Sequence, residues 1–133
     1  MQKIEIKSSE FEISNLGNPL VLFTKDLEKE IACIFSSTDL KKIALGRNLN
    51  REQLELLISN MNIDQKNNIL INIKIIGGIN CEESKLYLVD LINSLFAIDD
   101  NKDFINIESF EVCEHIHRHS FQIDCNTGEV RSF

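Results

Sequence analysis

The sequence predicts an α+β fold in which two α-helices pack on mainly antiparallel β-sheet layers. Apolar side chains repeat with helical spacing twice, near residues 50–61 and again near 82–96. One apolar segment, residues 69–76, lies between these helices, and alternating or short apolar segments lie on both sides of them. This order of strands and helices is typical of α+β domains. A chain of 133 residues is predicted to form one domain, spanning 1–133.

Four strands are predicted before the first helix. Residues 3–7 and 10–14 alternate apolar with polar side chains, which is the pattern of half-buried strands. Residues 31–35 are continuously apolar, which indicates a strand buried on both faces. After a turn at 36–39, residues 42–45 form the returning strand.

The first helix has a clear beginning in the sequence. Asn50 is an N-cap residue, and Gln53 follows three positions later, as in a capping box. The side chains predicted to form its buried face are Leu54, Leu57, Ile58 and Met61.

The second helix is predicted to begin near Cys81 or Glu82, with acidic residues in its first turn, where the helix dipole favours negative charge. Its predicted buried stripe consists of Leu88, Leu91, Ile92 and Leu95, widened by Leu86, Val89 and Phe96. Three predicted strands follow, at residues 105–112, 120–124 and 129–133.

Composition and charge restrict the possible partners. The net charge of −7 repels the phosphates of nucleic acids and disfavours anionic membranes, whereas basic protein partners remain possible. No apolar run reaches the ~20 residues that span a bilayer. The N-terminus alternates in polarity, unlike a secretory signal, so we expect a cytoplasmic protein with free thiols at its four cysteines.

Gly77 and Gly78 follow the central strand and precede the second helix. Loops that bind phosphate occupy such a position, so these glycines are a candidate anion-binding site. Glu82 and Glu83 would repel an anion there, and the sequence has no GxGxxG or P-loop motif. The favoured interpretation is therefore a backbone that needs positive φ or a close approach to a neighbouring strand.

The segment 113–119 contains a row of possible metal ligands. On an extended strand the same face would carry Cys113, His115, His117 and His119. Successive members of this row would be about 7 Å apart. Two such histidines can hold zinc, but the whole row cannot converge on one ion without a bend. The favoured interpretation is a polar turn or bulge near 114–118, because the apolar residues before it have even numbers and those after it have odd numbers. No cofactor is expected, and zinc is the alternative.

A relocated nucleophile is a further alternative. A cysteine activated by an adjacent histidine can carry out acyl transfer. The candidate thiols are Cys33, Cys81, Cys113 and Cys125, and the candidate imidazoles are His115, His117 and His119. The sequence does not show which of them are neighbours.

Three passages resemble a known bacterial family. They are TKDLEKEIACIF from Thr24, with KKIALGRNL after a turn; INIKIIGG with the helix that follows; and HSFQIDCNTGEV. In order and spacing they resemble the chemoreceptor glutamine deamidases of the CheD family, whose fold is shared by the catalytic domain of cytotoxic necrotizing factor. In that family a cysteine attacks a glutamine side-chain amide, a histidine activates the cysteine, and a threonine orients the histidine.

The resemblance implies a lost activity. It places the threonine at Thr24, the cysteine at Glu30 and the histidine at Arg47. Glutamate cannot replace a thiolate, and arginine stays protonated and cannot act as a base. The sequence therefore predicts a catalytically degenerate, CheD-like interaction or adaptor module, in which Glu30 and Arg47 form an ion pair. The alternatives are a cysteine-dependent deamidase or hydrolase, a zinc-binding protein, and a delivered bacterial effector.

Overall fold

The computed structural model describes residues 1–61, 69–114 and 119–133, with the side chains of Cys113, Glu114 and His119 left out. The predicted α+β class is confirmed. The described strands are β1 (Gln2–Glu5), β2 (Glu10–Asn15), β3 (Leu20–Leu27), β4 (Ile31–Ser37), β5 (Lys42–Arg47), β6 (Ile71–Ile79), β7 (Ile105–Glu114), β8 (His119–Asp124) and β9 (Glu129–Ser132). The described helices are α1 (Arg51–Met61) and α2 (Glu82–Asp99).

The strands form two mixed sheets. The four-stranded sheet has the order β1-β3-β8-β9, and the five-stranded sheet has the order β2-β5-β4-β6-β7. Most neighbouring strands are antiparallel, while β1 with β3 and β6 with β7 are parallel. The prediction of largely antiparallel pairing therefore agrees with the described strands.

Strand β4 shows how the layers are stacked. Ile31, Cys33 and Phe35 lie in the hydrophobic cluster that includes the helices, whereas Ala32 and Ile34 lie in the cluster that includes the other sheet. Successive side chains of a strand point to opposite faces, so β4 is buried on both sides, as its apolar run predicts. The five-stranded sheet is therefore the middle layer, with the helices on one face and the four-stranded sheet on the other.

Helix α1 begins as predicted. The backbone N–H of Gln53 donates to Asn50 Oδ1 at 2.9 Å, and the Asn50 N–H donates to Gln53 Oε1 at 3.0 Å. This reciprocal pair is a capping box. All of its predicted core side chains are buried: Leu54, Leu57, Ile58 and Met61.

Three strand predictions need correction. Strand β3 has no counterpart in the prediction, although Leu20 to Phe23 are consecutive apolar residues. Strand β6 does not stop before the glycines but continues through Gly77 and Gly78 to Ile79, because it pairs there with β4 and β7. Strand β5 extends to Arg47 along both of its neighbours, β2 and β4.

The predicted buried face of α2 is too wide. Leu91 and Leu95 are buried and Leu88 packs on the core, but Leu86 and Phe96 are exposed, and so is Val89. The physical reason is that α2 lies on the outermost layer, so only the side of the helix that faces the sheet is covered. Neither helix in the described ranges is long and apolar enough to cross a membrane.

Candidate functional site

Three strands bring Thr24, Glu30 and Arg47 together. Thr24 lies within β3, Glu30 immediately precedes β4, and Arg47 is the last residue of β5. Arg47 Nη2 lies 3.1 Å from Glu30 Oε1, and Arg47 Nη1 donates to Thr24 Oγ1 at 3.0 Å. The predicted ion pair is thus confirmed as a contact, and the threonine that the resemblance implies bonds to the same guanidinium.

Arg47 also bonds to the backbone of β3. Its Nη1 donates to the carbonyl of Lys25 at 2.7 Å, and its Nη2 to that of Asp26 at 3.5 Å. The pairing of β3 with β8 shifts register between Thr24 and Leu27, and Asp26 has a left-handed φ of 57°. This β-bulge takes Lys25 and Asp26 out of the regular ladder, which leaves their carbonyls able to accept from the guanidinium.

The Thr24–Arg47–Glu30 cluster is largely enclosed. The side chain of Arg47 is 12% exposed and that of Glu30 is 32% exposed. Thr24 is fully buried, and its hydroxyl donates to the carbonyl of Ile6 at 2.7 Å. Within the part of the chain that the structure describes, Glu30 Oε2 and Arg47 Nε are buried without a hydrogen-bond partner. The cluster is therefore a charged, hydrogen-bonded unit that contains neither the thiol nor the imidazole of the deamidase mechanism that the resemblance implies.

The glycine pair holds the backbone of Glu30. Gly77 and Gly78 have φ values of +109° and +76°, and the N–H of Gly78 donates to the carbonyl of Glu30 at 2.9 Å. A Cβ on Gly77 would lie 2.7 Å from that carbonyl oxygen. Both parts of the favoured interpretation, positive φ and close approach to a neighbouring strand, are confirmed. The anion-binding interpretation stays a prediction.

Ser84 is a residue of this region that the sequence does not single out. Its buried hydroxyl donates to the carbonyl of Lys29 at 2.9 Å and accepts from the N–H of Ile79 at 3.1 Å. It therefore ties the first turn of α2 to the residue before Glu30. A serine in the first turn of a helix is usually exposed, so no sequence pattern marks this one as buried.

The described thiols differ in their chemistry. Cys33, Cys81 and Cys125 are free, as predicted. Burial raises the pKa of the Cys33 thiol to about 12 and also raises the pKa of Cys125. The half-buried Cys81 precedes α2, and its Sγ lies 3.5 Å from Ser84 Oγ. The hydroxyl of Ser84 lowers the pKa of the Cys81 thiol below its ordinary value, so Cys81 is the described thiol most readily ionised.

The predicted metal ligands lie largely outside the described residues. This applies to His115 and His117 entirely, and to the side chains of Cys113 and His119. Among the side chains that the structure describes, no group of three or more His, Cys, Asp or Glu could hold a metal ion. The zinc-site hypothesis on the histidine row stays a prediction, and so does the pairing of a cysteine with one of these histidines.

The chain is similar in sequence to a protein of Rickettsia conorii. No protein-family model matches the chain. A Rickettsia conorii protein described as "Uncharacterized protein RC0132" is 43% identical over 63 residues, which are 47% of this chain and 84% of the relative. The chain therefore spans most of the length of this relative.

Proposed function

We propose that this chain, which belongs to the same family as the Rickettsia conorii protein RC0132, is a catalytically degenerate CheD-like domain that acts as a protein-interaction or adaptor module. The proposal rests on the Thr24–Arg47–Glu30 cluster. The resemblance assigns these positions to a threonine, a histidine and a cysteine that act together. Arg47 contacts both Thr24 and Glu30, which supports that assignment, since residues 24, 30 and 47 come from separate strands or connections.

The chemistry of the cluster supports binding without catalysis. A guanidinium donates hydrogen bonds and does not act as a base. The described contacts of Arg47 are with a carboxylate, a hydroxyl and two carbonyls. Glu30 offers a carboxylate where amide hydrolysis by this route needs a thiolate. An ion pair of this kind stabilises the local backbone and removes the acyl-transfer chemistry. A CheD-like fold that lacks the catalytic cysteine retains its surfaces, and those surfaces can still bind a protein.

Amide hydrolysis by the purified protein tests the proposal directly. Wild-type protein is incubated with a panel of glutamine-containing peptides, and the release of ammonia is measured together with the conversion of glutamine to glutamate by mass spectrometry. We expect no release above the rate of a heat-denatured sample. Release of ammonia by the wild type above that rate would contradict a non-catalytic role.

A second candidate function rests on Cys81. Its pKa is lowered and it is half-buried. Two hydrogen bonds, from Cys81 Sγ to Ser84 Oγ and from Ser84 Oγ to the Lys29 carbonyl, link it to the residue before Glu30. A thiolate at this position could attack an amide carbon, and the amide nitrogen would take a proton from water and leave as ammonia. The hydroxide formed would then hydrolyse the thioester to a carboxylate and release the thiol. The same assay separates the candidates, because this activity would be abolished by Cys81→Ser and would be unaffected by Cys125→Ser. Cys125 is the control because it is also a free thiol but is fully buried, so a substrate cannot reach it.

A further inference from the structure

Helix α2 and strand β7 expose several large apolar side chains on the helix-covered side of the molecule. Leu86, Val89 and Phe96 of α2 are 58%, 54% and 64% exposed, and Phe110 of β7 is 50% exposed. Phe110 pairs in register with Ile75, which belongs to the core beneath the helices, so its side chain lies on the same face of the sheet as α2. We call these four residues the α2–β7 surface.

Negative charge is concentrated around the α2–β7 surface. Residues 82–108 contain seven acidic and two basic side chains, a net charge of −5 out of −7 for the whole chain. The acidic residues are Glu82, Glu83, Asp90, Asp99, Asp100, Asp103 and Glu108. All of them except Asp99 are exposed, and in the described part of the chain only Glu83 forms an ion pair, with Lys29. The α2–β7 surface therefore lies among acidic side chains, most of which have no basic partner in the described part of the chain.

The charge restricts what can cover this surface. Nucleic acids and anionic lipids carry the same sign as the surface and are repelled. A second copy of the chain would bring two acidic faces together, which costs free energy at a close interface. A basic protein segment is attracted at long range and neutralises the acidic rim on docking.

The spacing of the apolar residues indicates the shape of that segment. Leu86, Val89 and Phe96 lie three and seven residues apart, so they follow one side of α2 for about 15 Å. A helix laid alongside α2 can place its own apolar ridge against such a row. We propose that the α2–β7 surface binds a basic amphipathic helix of a partner protein. This inference deepens the proposed interaction function and rests on it.

A designed peptide is a suitable probe for the α2–β7 surface. We would use a fluorescein-labelled amphipathic peptide of leucine and lysine, about 18 residues long, and a leucine and glutamate peptide of the same pattern. Fluorescence anisotropy with the whole protein should show binding of the lysine peptide only. Binding should weaken as salt rises, because the acidic rim contributes to it.

Two matched variants separate specific docking from general attraction between opposite charges. Leu86→Gln/Phe96→Gln removes apolar contact on the α2–β7 surface, whereas Leu56→Gln does so at an equally exposed position on α1, where the side chain is 54% exposed. The double variant should bind about tenfold more weakly or worse, and the α1 variant should stay within about twofold of wild type. Circular dichroism should show both variants folded, since all three side chains are exposed.

Each result has a definite meaning. Equal binding by wild type and the double variant would overturn the proposal. So would a dimer in light scattering that the double variant dissociates, because the occupant would then be a second copy. Ammonia release by the wild type would instead refute the proposed function, and the peptide measurement would be unaffected by that outcome.

Discussion

Arg47 is the residue on which the local structure around the candidate site depends most. Its guanidinium joins the Glu30 carboxylate, the Thr24 hydroxyl and the carbonyls of Lys25 and Asp26. Removing one partner of an enclosed ion pair leaves the other charge poorly solvated. The Glu30 side chain is 32% exposed, so the pair is only partly desolvated and this effect is moderated.

We therefore expect Arg47→Met to lower the free energy of unfolding by about 1–3 kcal/mol, as measured by urea denaturation. Arg51→Met is the matched control, because Arg51 pairs with Glu55 across one exposed turn of α1. That substitution should change stability by less than about 0.5 kcal/mol. Similar losses for the two variants would show that the contacts of Arg47 contribute little to stability.

The cysteines give a second test at the scale of single residues. In a Cys113→Ser background, Cys81 should react with iodoacetamide faster than Cys33 or Cys125, since its lowered pKa gives more thiolate at neutral pH. Its rate should also persist to lower pH than that of an ordinary thiol.

The variant Ser84→Ala should shift the pH–rate profile of Cys81 upward, because it removes the main cause of the lowered pKa. Peptide mapping by mass spectrometry would assign the rate to each cysteine. Preferential alkylation of the buried Cys33 would contradict this account.

Among the elements, β6 is the strand whose backbone is most specialised. It continues through two glycines with positive φ and passes close to the residue that precedes β4. An added side chain at Gly77 would meet the Glu30 carbonyl, and the backbone conformation would itself be strained. The position of Glu30 therefore depends on the absence of a side chain on the adjacent strand.

Gly77→Ala should lower the free energy of unfolding by about 2–3 kcal/mol, since strain and a steric clash act together. Gly17→Ala is a matched control, because Gly17 also has a positive φ, +97°, but nothing lies within 4 Å of its added Cβ. It should show the loss from backbone strain alone, about 1 kcal/mol. Equal losses at both glycines would mean that the contact with Glu30 relaxes freely.

The elements also show what a sequence can and cannot predict. The capping box and the core face of α1 were predictable, because both depend on residues within one or two helical turns. The exposed side of α2 was not predictable, because Leu86 and Phe96 are as apolar as Leu91. Only the packing of the helix on the sheet determines which of these side chains are covered. Strand β3 was missed where Leu20 to Phe23 run directly into the charged residues Lys25 and Asp26 at the bulge.

The same distinction applies to the candidate site. The contact between Glu30 and Arg47 was predictable because the resemblance supplied a pairing between positions that are distant in sequence. The backbone carbonyls that accept from Arg47 were not, since they result from a register shift between β3 and β8. Ser84 was also missed, because its role depends on how the first turn of α2 meets the residue before Glu30.

At the scale of the whole molecule, the remaining question is whether the fold is that of a deamidase whose nucleophile and base have been replaced. If it is, the double substitution Glu30→Cys/Arg47→His should bring a thiol and an imidazole together, with Thr24 within reach of the imidazole. We expect the introduced thiol to have a lower pKa than in Glu30→Cys alone, because the imidazolium stabilises the thiolate. The rate of alkylation as a function of pH measures it, in a Cys81→Ser/Cys113→Ser background.

The matched control for this restoration is Glu28→Cys/Arg47→His, because Glu28 is exposed and lies two residues before Glu30 in the same connection between β3 and β4. Its thiol should titrate near the ordinary cysteine value, since no contact holds it against position 47. Equal pH profiles for the two double variants would show that positions 30 and 47 are not arranged as a cysteine and histidine pair requires. The CheD-like assignment would then lose its main support, although the ion pair itself would remain. A lowered pKa for the thiol at position 30, but not for the thiol at position 28, would mean that the strands still hold positions 30 and 47 as a cysteine and histidine pair requires. Only the two side chains would then have changed.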